Sequence, residues 1–162
     1  MAEKIDFSKI SFLIVDSNEM SANLLRDILA VLGAKAVRHA TSIDQAIRRI
    51  KDGQPDVVIT ENYMDGQSGL ELVDWIRNGI DSPERMTPVI MITASSEVDQ
   101  VIEARDKGIN EFLSKPFTVE ALYSRLVSAI ARPRSFVNVD GYFGPDRRRR
   151  QTDFSGEDRR RG

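Results

Sequence analysis

The chain contains no cysteine, a single histidine and no long apolar run. Without cysteine there is no disulfide framework, no thiolate zinc site and no cysteine nucleophile. One histidine, His39, cannot build a histidine metal cluster. No apolar stretch approaches the roughly 20 residues of a bilayer-spanning helix. The first ten residues lack a secretory hydrophobic segment. The expectation is a soluble, cytoplasmic protein with no membrane insertion. What is present is 162 residues, 41% hydrophobic and 30% charged, enough for one domain with a real core plus a short appendage.

The net charge of −2 averages two unlike parts. Residues 1–131 carry 14 Lys+Arg and 20 Asp+Glu, a net of −6. Residues 132–162 carry nine Arg, no Lys and five Asp+Glu, a net of +4. An acidic body joined to an arginine tail points to a partner or ligand for the tail.

In the body, short apolar runs alternate with helical patterns. The runs are Phe12-Leu13-Ile14-Val15, Val57-Val58-Ile59, Val89-Ile90-Met91-Ile92 and the weaker Phe112-Leu113, with Ala36-Val37-Arg38 as a poorer fifth. Continuous rather than alternating apolarity suits strands buried on both faces of a parallel sheet. Between them, Leu24, Ile28 and Leu32 recur at spacing four, followed by Gly33. Thr41 or Ser42, Ser68, Ser95 or Ser96, and Thr118 are the N-cap candidates of four further helices. The fold expected is α/β, a doubly wound five-stranded parallel sheet with helices on both faces.

In such sheets the functional crevice lies at the carboxyl ends of the strands. The residues leaving the strands are Asp16, Glu61, Thr93 with Ala94, and Lys115-Pro116. Taken singly, each is a solvated loop residue. Together they form a pocket of two carboxylates, a hydroxyl and an ammonium. Two carboxylates can hold Mg²⁺, and lysine with a hydroxyl can contact a phosphoryl group.

These residues carry a resemblance. Residues 10–131 resemble the receiver domain of two-component response regulators, the CheY-like fold. The matching segments are Leu13-Ile14-Val15-Asp16, the stretch from Glu61 through Asp65 to Gly69, Ile92-Thr93-Ala94 and Phe112-Leu113-Ser114-Lys115-Pro116-Phe117. The resemblance implies strand order 2-1-3-4-5, flavodoxin-like. It implies Thr93 and Phe112 as a switch pair, Lys115 as the phosphoryl contact, and a cis Lys115–Pro116 bond. It also makes residue 61 the phosphoacceptor position.

Two departures act in one direction. The first strand is followed by Asp16-Ser17 where the family has two acidic residues, and the acceptor is Glu61 where the family has aspartate. One extra methylene moves the carboxylate by roughly 1.5 Å, a misplacement that costs a reaction on the order of 10²-fold. Losing the second acid weakens Mg²⁺, so weak or no metal is expected. Glu61 is therefore a degenerate acceptor, and the expected unit is a pseudo-receiver in which Glu61 reaches towards Lys115. The rival is a single-domain regulator that still accepts phosphoryl groups in a phosphorelay.

The tail holds a near-repeat. Gly144-Pro145-Asp146-Arg147-Arg148-Arg149-Arg150 is echoed by Gly156-Glu157-Asp158-Arg159-Arg160-Arg161, with Tyr142, Phe143 and Phe154 nearby and Arg150-Gln151-Thr152-Asp153 between the copies. Such a polar segment is expected to be disordered from residue 132 onward. Its uses range from a solvated tail, through a nonspecific nucleic-acid or membrane tether, to a specific anion site. Three features favour the last. All nine cations are arginine, aspartates interrupt them, and the motif is duplicated. Guanine suits this chemistry. Arginine bonds its O6 and N7, and aspartate accepts from its N1–H side. Arginine planes and aromatic rings stack on the purine.

A two-fold ligand with two guanines and two phosphates is cyclic di-GMP. The whole arrangement resembles the Cle family of CheY-like cyclic di-GMP effectors. That resemblance rests on Pro145-Asp146-Arg147-Arg148, Asp153-Phe154-Ser155-Gly156 and Asp158-Arg159-Arg160. It implies a non-catalytic signalling adaptor. Its nucleotide site would comprise Tyr142, Phe143, Asp146, Arg147, Arg148, Arg149, Arg150, Asp153, Phe154, Asp158, Arg159 and Arg160. It further implies docking of a protein partner, the flagellar motor switch, on the face of the fourth helix, fifth strand and fifth helix; nucleic acid is the disfavoured partner. His39, Trp75 and the Arg48-Arg49-Lys51 cluster read as packing or solvated surface.

Overall fold

The computed structural model describes residues 5–94, 98–139 and 141–146. After a 3-10 turn at Phe7–Lys9, the elements alternate as β1 (Ser11–Val15), α1 (Glu19–Val31), β2 (Ala36–Ala40), α2 (Ile43–Asp52) and β3 (Val57–Glu61). A two-stranded hairpin follows, β4 (Tyr63–Met64) and β5 (Gln67–Ser68), then α3 (Gly69–Asn78). The body closes with β6 (Val89–Thr93), α4 (Val98–Lys107), β7 (Glu111–Ser114) and α5 (Val119–Ile130). A last hairpin comprises β8 (Phe136–Val139) and β9 (Tyr142–Pro145).

The main sheet is parallel, in the order β2-β1-β3-β6-β7. Counting sheet strands alone, that is the expected 2-1-3-4-5. The apolar runs are continuous because the sheet is covered on both faces. Leu13, Val15, Val58 and Met91 point to one core, shared with Ile50, Leu72, Val73 and Ile76 of α2 and α3. Phe12, Ile14, Ile59, Ile90 and Ile92 point to the other, shared with Leu25, Leu29, Leu122 and Leu126 of α1 and α5. Alternate residues of each strand thus serve opposite layers.

The helix starts follow the short polar residues. Ser42 Oγ accepts from the Gln45 N–H at 3.1 Å, Ser68 Oγ from Leu70 at 3.1 Å, and Thr118 Oγ1 from Ala121 at 3.0 Å. Asn18 caps α1 by accepting from the Ser21 N–H at 2.9 Å. Ser95 and Ser96, the candidates for α4, lie outside the described residues. On α1 the buried face is Ala22, Leu25 and Leu29, whereas Leu24 is 59% exposed. The 24/28/32 stripe and the 22/25/29 stripe both have helical spacing. Ile28 and Leu32 of the first stripe still pack partly buried against the α1–α5 core, so periodicity places the apolar side of the helix but not its edge, where Leu24 turns outward.

The tail needs a correction. Phe136–Val139 and Tyr142–Pro145 are not disordered: they pair as antiparallel strands, Val139 with Tyr142 and Phe136 with Pro145. Asp140-Gly141 is a strong two-residue hairpin signal, and Gly141 adopts φ 78°, which a side chain would strain. Composition concealed the hairpin because its stability comes from the surface beneath it.

That surface is organised by Arg77, in the last turn of α3 and fully buried. Its Nε donates to Gly108 O at 3.0 Å, Nη1 to the carbonyls of Arg85 and Thr87 at 2.7 Å each, and Nη2 to Asn110 Oδ1 at 2.9 Å. Burial lowers its pKa to about 10, which leaves it cationic at neutral pH. The guanidinium thereby ties α3 to the turn before β7 and to residues 79–88. It also lies 5.0 Å from the Phe136 ring centroid. The long segment between α3 and β6 is held at several further points. Ser82 Oγ donates to Ile76 O at 2.7 Å, and Trp75 Nε1 to Asp81 Oδ1 at 2.9 Å. Hydrogen bonds from Lys51 and Trp75 hold the Asp81 carboxyl below its usual range.

Candidate functional site

The carboxyl ends of the central strands bring together three of the expected residues. Glu61 is the last residue of β3, Thr93 the last of β6, and Lys115 follows β7, its N–H donating to Thr93 O at 2.8 Å. Lys115 Nζ lies 2.9 Å from Glu61 Oε1, a part-buried ion pair. The Lys115–Pro116 bond is cis.

Asp16, just past β1, is engaged locally. Its Oδ1 accepts from the Asn18 N–H at 2.9 Å, and its carbonyl oxygen lies 2.8 Å from His39 Nε2. Thr93 is buried at 4% exposure. Phe112 is half-buried against the α2–α3 core, one residue out of step with Leu113, which faces the α1–α5 core.

Neighbouring backbone fixes where Glu61 sits. The Thr60 hydroxyl donates to Glu61 O at 3.0 Å. The Gly69 N–H donates to Asn62 O at 2.6 Å. A Cβ on Gly69 would fall 2.2 Å from Glu61 O. Glycine is thus required for α3 to start against the acceptor strand. Gly69→Ala is expected to destabilise the protein by about 1–3 kcal/mol through this backbone clash, measured by urea unfolding. An unchanged midpoint would show that α3 can shift without penalty.

Beside the ion pair lies a cleft of about 520 Å³, walled by Ile14, Leu25, Ile28, Ile59, Ile92 and Phe117. Asp16, Glu61 and Lys115 are its charged lining. As a Mg²⁺ site this donor set fits poorly. One of two carboxylates is already matched by an ammonium, the other accepts a backbone N–H, and Ser17 brings no charge. Among the described residues no cluster of three His, Cys, Asp or Glu side chains could hold a metal ion.

Between α4, β7 and α5 lies a groove of about 380 Å³ lined by Val101, Arg105, Phe112, Arg125 and Arg134 among others. Arg134, from the segment after α5, adds a cation that sequence reasoning had assigned only to the tail.

The proposed ligand residues divide. Tyr142, Phe143 and Asp146 are described, and Arg147, Arg148, Arg149, Arg150, Asp153, Phe154, Asp158, Arg159 and Arg160 lie outside the described residues. Tyr142 is half-buried, its hydroxyl donating to Pro145 O at 2.8 Å. Phe143 packs on Phe136 with ring centroids 5.5 Å apart, and the Arg85 guanidinium carbon lies 3.6 Å from its centroid. The Asp146 N–H donates to Ser135 O at 2.7 Å, closing the hairpin. Arg77 and Arg85 were not singled out from the sequence, because nothing local marks a cation that will be buried or stacked.

Comparison with known proteins agrees with this geometry. The profile of the response regulator receiver domain matches residues 12–127. Chemotaxis protein CheY-3 of Vibrio cholerae serotype O1 is 33% identical over 124 residues, covering 76% of this chain and 94% of the relative. Chemotaxis protein CheY of Pseudomonas aeruginosa is 29% identical over 123 residues, covering 76% and 98%. Among solved structures, chemotaxis response regulator CheY4 of Vibrio cholerae superposes with TM-score 0.67 at 25% identity, over 75% of this chain and 98% of that one. The receiver domain of NtrX from Brucella abortus gives 0.66 at 27% identity, again over 75% and 98%. With the strand order, the strand-end residues and these likenesses in agreement, the chain belongs to the response regulator receiver family, as a CheY-like domain.

Proposed function

We propose that this receiver is a signalling adaptor whose input is a nucleotide bound by its arginine tail rather than a phosphoryl group. The observation that carries the reading is the 2.9 Å pairing of Glu61 with Lys115. The lysine that would meet an incoming phosphoryl group already has a carboxylate from the acceptor position. A longer acceptor side chain and Ser17 in place of a second acid work the same way.

If the pocket has lost its input, the chain must be addressed elsewhere. The duplicated Asp-Arg-Arg motif is the feature with chemistry to spare. In this reading cyclic di-GMP is held by Arg147 to Arg150, Asp153, Phe154, Asp158, Arg159 and Arg160. Arginine forks take the guanine O6 and N7, and aspartate takes the N1–H edge. In this reading binding neutralises the tail arginines and thereby changes what a protein partner meets at the α4–β7–α5 face. A flagellar partner would follow from the family resemblance alone.

Fluorescence anisotropy with a labelled cyclic di-GMP separates this from a plain electrostatic tail. Arg150→Ala and Asp153→Ala are each expected to weaken binding by about tenfold or more, equivalent to about 1–3 kcal/mol. A single-stranded oligonucleotide should fail to compete at moderate salt. Equal displacement by the oligonucleotide, with a steep salt dependence, would assign the tail to nonspecific tethering instead.

A further inference from the structure

β1 and β3 pair in parallel with Val15 opposite Thr60. The next residues, Asp16 and Glu61, therefore leave the sheet side by side, on backbones about 4.8 Å apart. Alternation along each strand carries them to the face of Ile14 and Ile59, two positions earlier. That face belongs to the α1–α5 layer. Both carboxylates accordingly line the cleft of about 520 Å³, whose remaining walls are chiefly apolar.

The charges in this cleft do not balance. Asp16 and Glu61 face one ammonium, Lys115, and its Nζ lies 2.9 Å from Glu61 Oε1. Among the described residues no cation pairs with Asp16. Asp16 is 9% exposed, and its side chain accepts the Asn18 N–H alone. A carboxylate so placed has given up most of its water for one neutral donor, a state that a cation relieves.

The lining selects among ligand classes. Hydrated Mg²⁺ gains nothing from a hydrocarbon wall. An anion would have to take Lys115 from Glu61 and then sit against Asp16. A neutral apolar molecule leaves Asp16 as it is. An organic cation meets both features, with an apolar body against the walls and N–H donors on the carboxylate. We propose that the cleft is a binding site for a small amphipathic monocation, an ammonium or guanidinium carried on a hydrocarbon or aryl body. The volume is that of a small-ligand site. Leu24 lines the cleft yet is 59% exposed, and a bound ligand body covers it. The site lies wholly in the receiver body, so it does not turn on the nucleotide reading.

The test uses one body with different heads: phenylbutylamine, phenylbutanol and phenylbutyrate. Each is titrated into the full chain at neutral pH and followed by methyl NMR of leucine and isoleucine. The amine is expected to bind with a Kd of about 1 mM. It should move the methyls of Leu25, Ile28, Ile59 and Ile92, and bind at least about tenfold more tightly than the acid. Asp16→Asn keeps an acceptor for the Asn18 N–H, so the methyl spectrum of the free variant should match wild type. This change should weaken the amine by about tenfold and leave the alcohol unaffected.

Equal affinities for amine and acid, or a tighter acid, overturn the inference. So does an amine preference that survives Asp16→Asn. Shifts confined to methyls outside the cleft overturn it as well, as does the absence of any shift at ten times the expected Kd. If Asp16→Asn displaces the free spectrum, the amine–acid comparison in wild type decides alone.

Discussion

Arg77→Leu is expected to lower the unfolding free energy by about 4 kcal/mol. Leucine fills part of the space but offers no donor to the carbonyls of Arg85, Thr87 and Gly108 or to Asn110 Oδ1. A buried acceptor left without a partner costs about 1–3 kcal/mol. Asn110 Oδ1 keeps the Val89 N–H at 2.8 Å, so three carbonyls lose the Arg77 donor, about 3–9 kcal/mol in sum, which local rearrangement with water entry reduces. Arg77→Lys retains one charge and up to three donors, so it should fall between the two. Urea unfolding measures both. The same variants should loosen the hairpin, because Phe136 loses the cation beneath its ring. A loss under about 1 kcal/mol in Arg77→Leu would mean that those carbonyls find other partners readily, and that Arg77 does not organise this end of the fold.

The second large effect concerns the strand-end pocket. Wild-type protein treated with acetyl phosphate and Mg²⁺ is expected to gain no mass. The double change Glu61→Asp with Ser17→Asp is expected to acquire one phosphoryl group, at least about 10²-fold faster than wild type. Shortening residue 61 withdraws its carboxylate by roughly 1.5 Å. That draws it away from Lys115 and opens room for a phosphorus atom between the two. The aspartate oxygen then attacks phosphorus, and acetate leaves with the bonding electrons. Intact mass spectrometry reads the adduct. A wild-type adduct lost in Glu61→Ala would show that the glutamate is itself an acceptor.

Much of the fold was legible because the relevant signals are local. Ser42, Ser68 and Thr118 cap the helices their positions implied, and the continuous apolar strands required a sheet covered on both faces. The strand-end residues were legible for the same topological reason. Glu61 and Lys115, 54 positions apart, meet because parallel strands place their carboxyl ends together.

What stayed hidden depends on distant surface. Leu24 looked like core, yet the neighbouring stripe of α1 faces the sheet. The hairpin of β8 and β9 has a turn signal in Asp140-Gly141, but its strands are four residues each, and its seat includes Gly108, Arg77 and Arg85, which are distant in sequence. A Cβ on Gly144 would lie 3.0 Å from Gly108 Cα, so two backbones touch where no side-chain pattern could announce it. Arg77 has the composition of a surface residue and the surroundings of a core one.

The hairpin also sets where the chain should be cut. Ending it at Ala131 would remove a seated element together with the arginines, whereas ending it at Asp146 removes the arginine motifs alone. Calorimetry with cyclic di-GMP on the full chain and on the chain ending at Asp146 therefore tests the nucleotide input most directly. The full chain should release heat at micromolar concentration and the shortened chain none. No heat from the full chain, or equal heat from both, would contradict the account.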